Sequence, residues 1–298
     1  MSHRPINELL DLADRKLDIT YSRGILLSLL CMLLCVVLPA LVHYVLQRCN
    51  HLETNFRGNK IPNSFGIVFL LITVPCISLA RYTYLPGWKD APLWSCGIIG
   101  FGILGLIDDV LGDKSIKGIR GHIMALLTKG KVTTGLVKFV GGGLLSLWLA
   151  KQHEVVLGVR MVESTLIIAL CSNAMNLLDL RPGRACGAFL LTSGSLIGYW
   201  VVHGDNELIP LLLIFIPACR VWLLDSQVKC MLGDAGSNLL GAALGIGIVF
   251  SPCTDLWRHG TFVALILFHI LTERYSLSKL IAANPILRFT DSLFGERE

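Results

Sequence analysis

Five stretches of this chain, Gly24–Leu46, Asn63–Ala80, Ala91–Ile107, Ala185–His203 and Ala235–Thr254, contain no Lys, Arg, Asp or Glu. Each approaches or exceeds the roughly 17–25 mostly apolar residues that carry an α-helix across a bilayer. Four further segments read as spans with interruptions. Val132–Ala150 holds Lys138, Val155–Leu178 holds Arg160 and Glu163, Leu208–Leu224 holds Arg220, and Gly260–Thr272 is short. Lipid offers no water to backbone amides, so such runs must close their hydrogen bonds internally as helices. The 298 residues are 53% hydrophobic and 16% charged, with a mean hydropathy of +0.65, which excludes an ordinary soluble domain. The expected fold is all-α: a polytopic integral membrane protein with about nine (eight to ten) transmembrane helices.

Residues 1–23 mix Arg4, Arg15, Lys16 and Arg23 with Glu8, Asp11, Asp14 and Asp18. They read as an N-terminal amphipathic or flexible segment, residues 24–274 as the multi-span domain, and residues 275–298 as a tail too polar to cross. The first apolar run exceeds a signal-peptide core, so it is expected to stay as a helix. Ten cysteines fall mostly within apolar runs with no Cys-x-x-Cys pair, where they act as small hydrophobes. If the span ending at Asp108 exits into the cytoplasm, sixteen Lys and Arg lie on that side and nine on the other. That bias supports this orientation in a cell (inner or plasma) membrane. No nucleic-acid partner is expected.

Four polar signatures share the basic side. Gly105-Leu106-Ile107-Asp108-Asp109 closes an apolar run, and two adjacent carboxylates at a membrane surface repel each other and resist desolvation. Such a pair suits a cation or a proton path; Mg²⁺ in particular needs only one or two carboxylates beside substrate phosphates. The other reading is a solvated helix end. Phe56-Arg57-Gly58-Asn59-Lys60-Ile61-Pro62-Asn63-Ser64-Phe65-Gly66 pairs turn residues with Arg and Lys that could meet phosphate, or it is only a basic loop. Asn173 and Asn176 share a helix face three residues apart, with Asp179 one step on; asparagines there can also serve helix packing. Gly233-Asp234-Ala235-Gly236-Ser237 opens the last clean run, where Asp234 or Ser237 could cap a helix.

Taken in chain order, from Phe56–Gly66 to Gly233–Ser237, the four signatures resemble the polyprenyl-phosphate N-acetylhexosamine-1-phosphate transferase family, over about Arg57 to Gly245. The spaced set of Asp108-Asp109, Asn173-x-x-Asn176-x-x-Asp179 and Gly233-Asp234-x-Gly236-Ser237 makes the likeness specific. The resemblance implies transfer of a sugar-1-phosphate from a UDP-N-acetylhexosamine to a polyprenyl phosphate, releasing UMP, for cell-envelope glycan synthesis. It also implies dependence on Mg²⁺, with Mn²⁺ as a substitute. Carried over by motif position, Asp109 and Asp234 are metal ligands and Asp108 activates or orients the lipid phosphate. Asn173, Asn176, Asp179, Ser237, Lys60 and Lys114 then stand on the substrate side. A homodimer is compatible with the pattern.

The chain departs from the family twice. The third motif usually continues Asp-Gly-x-Asp-Gly-Leu; here Asp179-Leu180-Arg181-Pro182-Gly183-Arg184 has lost the second aspartate and gained two arginines. Arg181 and Arg184 either meet substrate phosphate or carboxylate or are positive-inside anchors. The His-rich loop of the family is missing as well. His269, Glu273 and Arg274, on one face by spacing, and His122 are candidate replacements. Two other readings stand beside the enzyme: a catalytically altered member that binds or regulates lipid-linked glycan intermediates, and a cation-coupled transporter, which gathering all the acidic groups at one face disfavours.

Overall fold

The apolar runs fold as helices. The computed structural model describes residues 4–83, 89–112, 116, 118–154, 158–203, 209–251 and 254–295. Along them run α1 (Arg4–Arg48), α2 (Ile67–Thr83), α3 (Ala91–Leu111), α4 (Gly118–Lys129), α5 (Thr134–His153), α6 (Val159–Leu178), α7 (Arg184–His203), α8 (Ile209–Ser226), α9 (Gly233–Phe250) and α10 (Asp255–Arg274). Two short helices, α11 (Leu277–Ala283) and α12 (Pro285–Phe294), end the described chain. The first basic signature is a two-stranded antiparallel hairpin, β1 (Leu52–Thr54) and β2 (Lys60–Pro62), with Leu52 opposite Pro62.

Among the described residues, six helices are long and apolar enough to cross a membrane, beginning with Leu26–Arg48 and including α3, α6, α7, α8 and α9. The apolar helix Ile67–Tyr82 is shorter. The expectation of an all-α membrane protein holds at this level, with the hairpin as its only strands among the described residues. The N-terminal boundary expected at residue 23 is not a break in the backbone, because α1 runs through it as one helix.

Helix α9 is the spine: every residue from Ala235 to Phe250 is buried. Lipid tails are as apolar as leucine, so helices in a membrane associate by close packing rather than by hydrophobic transfer. Glycines make that packing possible here. A Cβ at Gly241 would strike the backbone of Cys171 and Ser172 on α6, and one at Gly105 on α3 would strike the carbonyl of Asp234. Gly241→Val should therefore force α6 and α9 apart, at a cost of at least about 1–3 kcal/mol. A melting temperature of the purified variant equal to that of the parent chain would contradict this packing.

Helix α10 is longer than the short apolar run that announced it, because its first turn is polar. Thr254 caps it, accepting from the Trp257 N–H. Its next residues join a network at the end of the bundle away from the aspartates. His259 Nδ1 lies 2.6 Å from Glu163 Oε1. Arg258 contacts Glu154 and Ser164 and approaches Glu163 Oε2 at 3.7 Å. Arg160 approaches Glu154 at 3.4 Å and Asp255 at 3.5 Å. Arg160 and Glu163, which interrupted an apolar run in the sequence, are thus the partners that receive α10.

The C-terminal residues expected as a polar tail carry helical structure. Pro285 occupies the first turn of α12, and the Asn284 side chain accepts from the Ile286 and Leu287 N–H groups, a cap followed by a helix-starting proline. One side of α12 packs against α7, while Ile286, Phe289 and Leu293 remain exposed.

Candidate active site

The ends of α3, α6 and α8 and the starts of α5, α7 and α9 meet at one end of the bundle. One backbone crossing brings them together. The Phe65 and Gly66 N–H groups donate to the Met231 and Leu232 carbonyls, and the Met231 N–H donates to Pro62, so the chain after the hairpin runs beside the chain before α9. At this crossing a Cβ on Gly66 would collide with the backbone of Gly236. The first and fourth sequence signatures are thereby locked to each other.

Asp109 holds this junction from α3. Its two carboxylate oxygens accept the Asp234 N–H at 2.9 Å and the Ala235 N–H at 3.0 Å. These are orphan donors of the first turn of α9, and the negative charge lies on the positive end of that helix dipole. Ser64 also bonds to Asp109, and His51 Nε2 lies 2.8 Å from Ser64 Oγ.

Asp108 points the other way, toward α5. Its Oδ1 accepts from Thr134 Oγ1 at 2.6 Å and its Oδ2 lies 2.7 Å from Lys138 Nζ. The same ammonium bonds to Asp234 Oδ2. The two carboxylates that share the Lys138 ammonium are therefore Asp108 and Asp234. All three side chains remain partly accessible: 17% for Asp108, 20% for Lys138 and 28% for Asp234. His122 supports this arrangement one layer back, with Nδ1 2.8 Å from the Thr133 hydroxyl that caps α5.

Asp179 caps the C-terminus of α6 and accepts the Gly233 N–H. Burial, then the charges of Asp225, Asp234 and Asp109, push its carboxyl well above the usual carboxylate range. A raised acid pKa means that the folded state holds a proton which the unfolded chain releases. Stability from this group is complete below the ordinary carboxylate pKa and is lost as pH rises toward the raised value. Metal-free protein should therefore lose melting temperature as pH rises above about 4. Asp179→Asn should make that slope shallower; an identical slope in both proteins would assign it elsewhere.

The other expected site residues separate into groups. Asn176 Oδ1 accepts from Ser237 Oγ at 3.0 Å, and Ser237 is fully buried, so this pair joins α6 to α9 and the serine is closed to substrate. Asn173 is exposed and makes no side-chain hydrogen bond among the described residues. Lys60 projects from the hairpin into the open. The Arg181 guanidinium lies over the Phe56 ring at 5.5 Å, with Arg57 at 5.3 Å from the same ring. Arg184 is not available to phosphate: its guanidinium is 4% exposed and paired with Asp291. Lys114 lies outside the described residues. Glu273 and Arg274 are exposed, and His269 Nδ1 bonds to the Leu265 carbonyl within α10. Among the described residues no bond joins these three to the aspartates.

Two groups escaped the sequence reading. Lys138 was counted only as an interruption and a basic residue, although an ionisable side chain inside an apolar span marks a functional position by default. Thr134, four residues earlier on the same helical face, completes that signal. Asp225, at the end of an apolar run, accepts the Gly183 N–H at 2.8 Å. A cavity of about 710 Å³ lies between α6, α7, α9 and α10, its lining including Met175, Leu178, Leu191, Leu244, Leu265 and Phe268. Leu178 directly precedes Asp179.

Residues 91–251, more than half of the chain, match the model of glycosyl transferase family 4. The chain belongs to this family. It is a divergent member of the polyprenyl-phosphate N-acetylhexosamine-1-phosphate transferases, a class of glycosyl-1-phosphate transferases. It is 26% identical over 267 residues to a phospho-N-acetylmuramoyl-pentapeptide-transferase of Geobacter sp. (strain M21), covering 78% of this chain and 73% of that one. The enzymes of the same name from Desulforamulus reducens and Chlamydia abortus are 27% and 25% identical, over 63% and 80% of this chain and 59% and 76% of theirs. The family match contains the Asp108–Lys138–Asp234 cluster and Asp179, while the hairpin, α10 and the two C-terminal helices lie outside it.

The carboxylates also bear on metal binding. Among the described residues no three His, Cys, Asp or Glu side chains are grouped to hold an ion by themselves. Mg²⁺ does not need such a cage, since a carboxylate or two, waters and substrate phosphates complete its octahedron. Asp108 and Asp234 offer hard oxygen donors, and Lys138 supplies one positive charge to the two of them. The residues fit a divalent cation that arrives with a phosphorylated substrate.

Proposed function

We propose that this chain transfers a sugar-1-phosphate from a UDP-N-acetylhexosamine to a polyprenyl phosphate at the cytoplasmic face of the membrane, in the synthesis of cell-envelope glycan. The observation that carries the reading is Lys138 shared between Asp108 and Asp234, at the end of the bundle where an apolar cavity closes against Leu178. In the reaction an oxygen of the lipid phosphate attacks the sugar-bearing phosphorus of the UDP-sugar. The bond from that phosphorus to the bridging oxygen breaks, and UMP leaves with the electron pair. The lipid phosphate is ionised near neutral pH, so no strong base is required, and positioning and charge neutralisation supply the rate.

Each residue then has a task that its geometry supports. Lys138 holds phosphate oxygens and offsets their charge while they approach Asp108 and Asp234. Asp108, steadied by Thr134, orients the lipid phosphate. Asp109 fixes the backbone of Asp234 so that its carboxylate keeps one direction. Asp179 and Asn176 border the donor side, with Arg57, Lys60 and Arg181 as a basic rim for the nucleotide. Mg²⁺, or Mn²⁺ in its place, would be held by Asp108 and Asp234 and would offset diphosphate charge as a Lewis acid. The apolar cavity beside Leu178 takes the polyprenyl chain. Helices α2, α5 and α10 cross the membrane with the six more apolar helices, giving nine spans.

Purified protein incubated with polyprenyl phosphate, Mg²⁺ and a panel of UDP-N-acetylhexosamines tests the reading. Release of UMP in step with a lipid-linked sugar diphosphate supports it. Folded protein that releases no UMP from any donor rejects it in favour of a glycan-binding role.

A further inference from the structure

The altered third motif and the last helix of the described chain meet in one ion pair. Arg184 closes the altered third motif, and Asp291 belongs to the C-terminal helix α12. Arg184 Nε donates to Asp291 Oδ1 at 2.7 Å and Nη2 donates to Oδ2 at 3.0 Å, while Nη1 reaches Ser278 Oγ at 3.3 Å. This is a two-point guanidinium–carboxylate contact, which fixes orientation as well as distance. Both groups are largely buried, at 4% and 11% exposure.

Backbone contacts extend the junction. Gly183 has φ of +72°, and a Cβ there would collide with the carbonyl oxygen of Phe294. A Cβ on Gly295 would press on the carbonyl of Pro182, and the Phe294 ring fills the space beside Gly187. Trp222 Nε1 of α8 donates to the Phe294 carbonyl at 2.8 Å and keeps the end of α12 in place. The segment 179–184 is therefore held at three points. Asp179 bonds to the Gly233 N–H, the Gly183 N–H bonds to Asp225 Oδ2, and Arg184 pairs with Asp291. The first two lie inside the helical bundle; the third comes from the last helix of the chain.

We propose that α12 is a strap that positions the 179–184 segment, so that Asp291 and Arg184 are positioning residues for the donor side of the site. They touch no substrate themselves. They set where Asp179 and Arg181 stand, and a small misplacement of such groups is expressed chiefly as weaker donor binding. The proposal rests on the transferase reading of the site, but its structural half can be tested without turnover.

The test compares the full-length parent chain, Asp291→Asn and the exchanged pair Arg184→Asp with Asp291→Arg. Amide hydrogen exchange over residues 179–187 is measured first. Steady-state turnover with UDP-N-acetylglucosamine, polyprenyl phosphate and Mg²⁺ follows. Asp291→Asn should speed exchange in this segment at least roughly tenfold while α9 stays protected. It should raise the donor KM by roughly ten- to a hundredfold with kcat within a few-fold, and the exchanged pair should recover part of both losses. Unchanged exchange and unchanged KM in Asp291→Asn overturn the proposal, as does faster exchange with a KM equal to that of the parent. If Asp291→Asn does not fold, Trp222→Phe carries the same test through the other end of the strap, with smaller shifts in the same directions. A parent chain that turns over no donor refutes the transferase reading, and the exchange result then decides the strap by itself.

Discussion

Asp234→Asn loses Mg²⁺-dependent release of UMP by at least about 10²–10³-fold, the loss typical when one preorganised electrostatic partner of a transition state is removed. Asparagine keeps the shape of the side chain. The Asp234 N–H can still donate to Asp109, and the Asp234 carbonyl can still accept from Asn238 Nδ2, bonds of 2.9 and 2.7 Å in the structure. The fold should therefore survive, with a melting temperature within a few degrees of the parent. What disappears is one of the two carboxylates that share Lys138, and with it the negative charge that would hold a divalent ion against the donor diphosphate. Turnover within tenfold of the parent would remove Asp234 from the chemistry and the reading above with it.

Lys138→Met should be comparably severe, through the opposite charge. Methionine approximates the length of the stem but leaves Asp108 and Asp234 facing each other without a cation. Removing one partner of a largely buried pair costs about 3–5 kcal/mol when fully buried; the accessibility of this cluster reduces that figure. Turnover should fall by roughly 10²–10³-fold, because the charge that met the phosphate oxygens has gone. At the same time the substrate-free variant should bind Mn²⁺ more tightly than the parent, since no ammonium competes for the two carboxylates. Calorimetric titration distinguishes these effects. A variant with weaker Mn²⁺ binding and unimpaired turnover would show that Lys138 is only a packing residue.

The helical architecture was legible because hydropathy along a membrane chain reports directly on burial in lipid. The runs at Ala91 and Ala235 became α3 and α9 nearly at their expected bounds. Helix α10 was read too short, since Arg258 and His259 both meet Glu163 on α6 and so could lie in a helix without facing lipid unpaired. The aspartates were legible for a related reason: carboxylates at the ends of apolar runs demand an explanation. Their division of labour was not, because adjacency in sequence hides that neighbouring side chains point apart. Asp109 turns to the α9 amides and Asp108 to Lys138. Motif spacing leaves Arg184 between a substrate contact and a positive-inside anchor, and Ser237 between a substrate contact and a helix cap. Their partners, Asp291 and Asn176, lie 107 and 61 residues away, beyond the reach of local pattern.

The ion network at the far end of the bundle has a consequence for how the chain is built. Arg258 and Glu163 are each expensive to leave in or near lipid alone, and the contact from His259 to Glu163 spans 96 residues of sequence. During synthesis Glu163 on α6 must wait for Arg258 and His259 until α10 emerges, whereas Glu154, at the end of α5, already has Arg160 of α6 beside it. Insertion of α10 is thus coupled to the earlier arrival of α6, and the order in which the ribosome delivers the two helices becomes part of the assembly of the membrane domain.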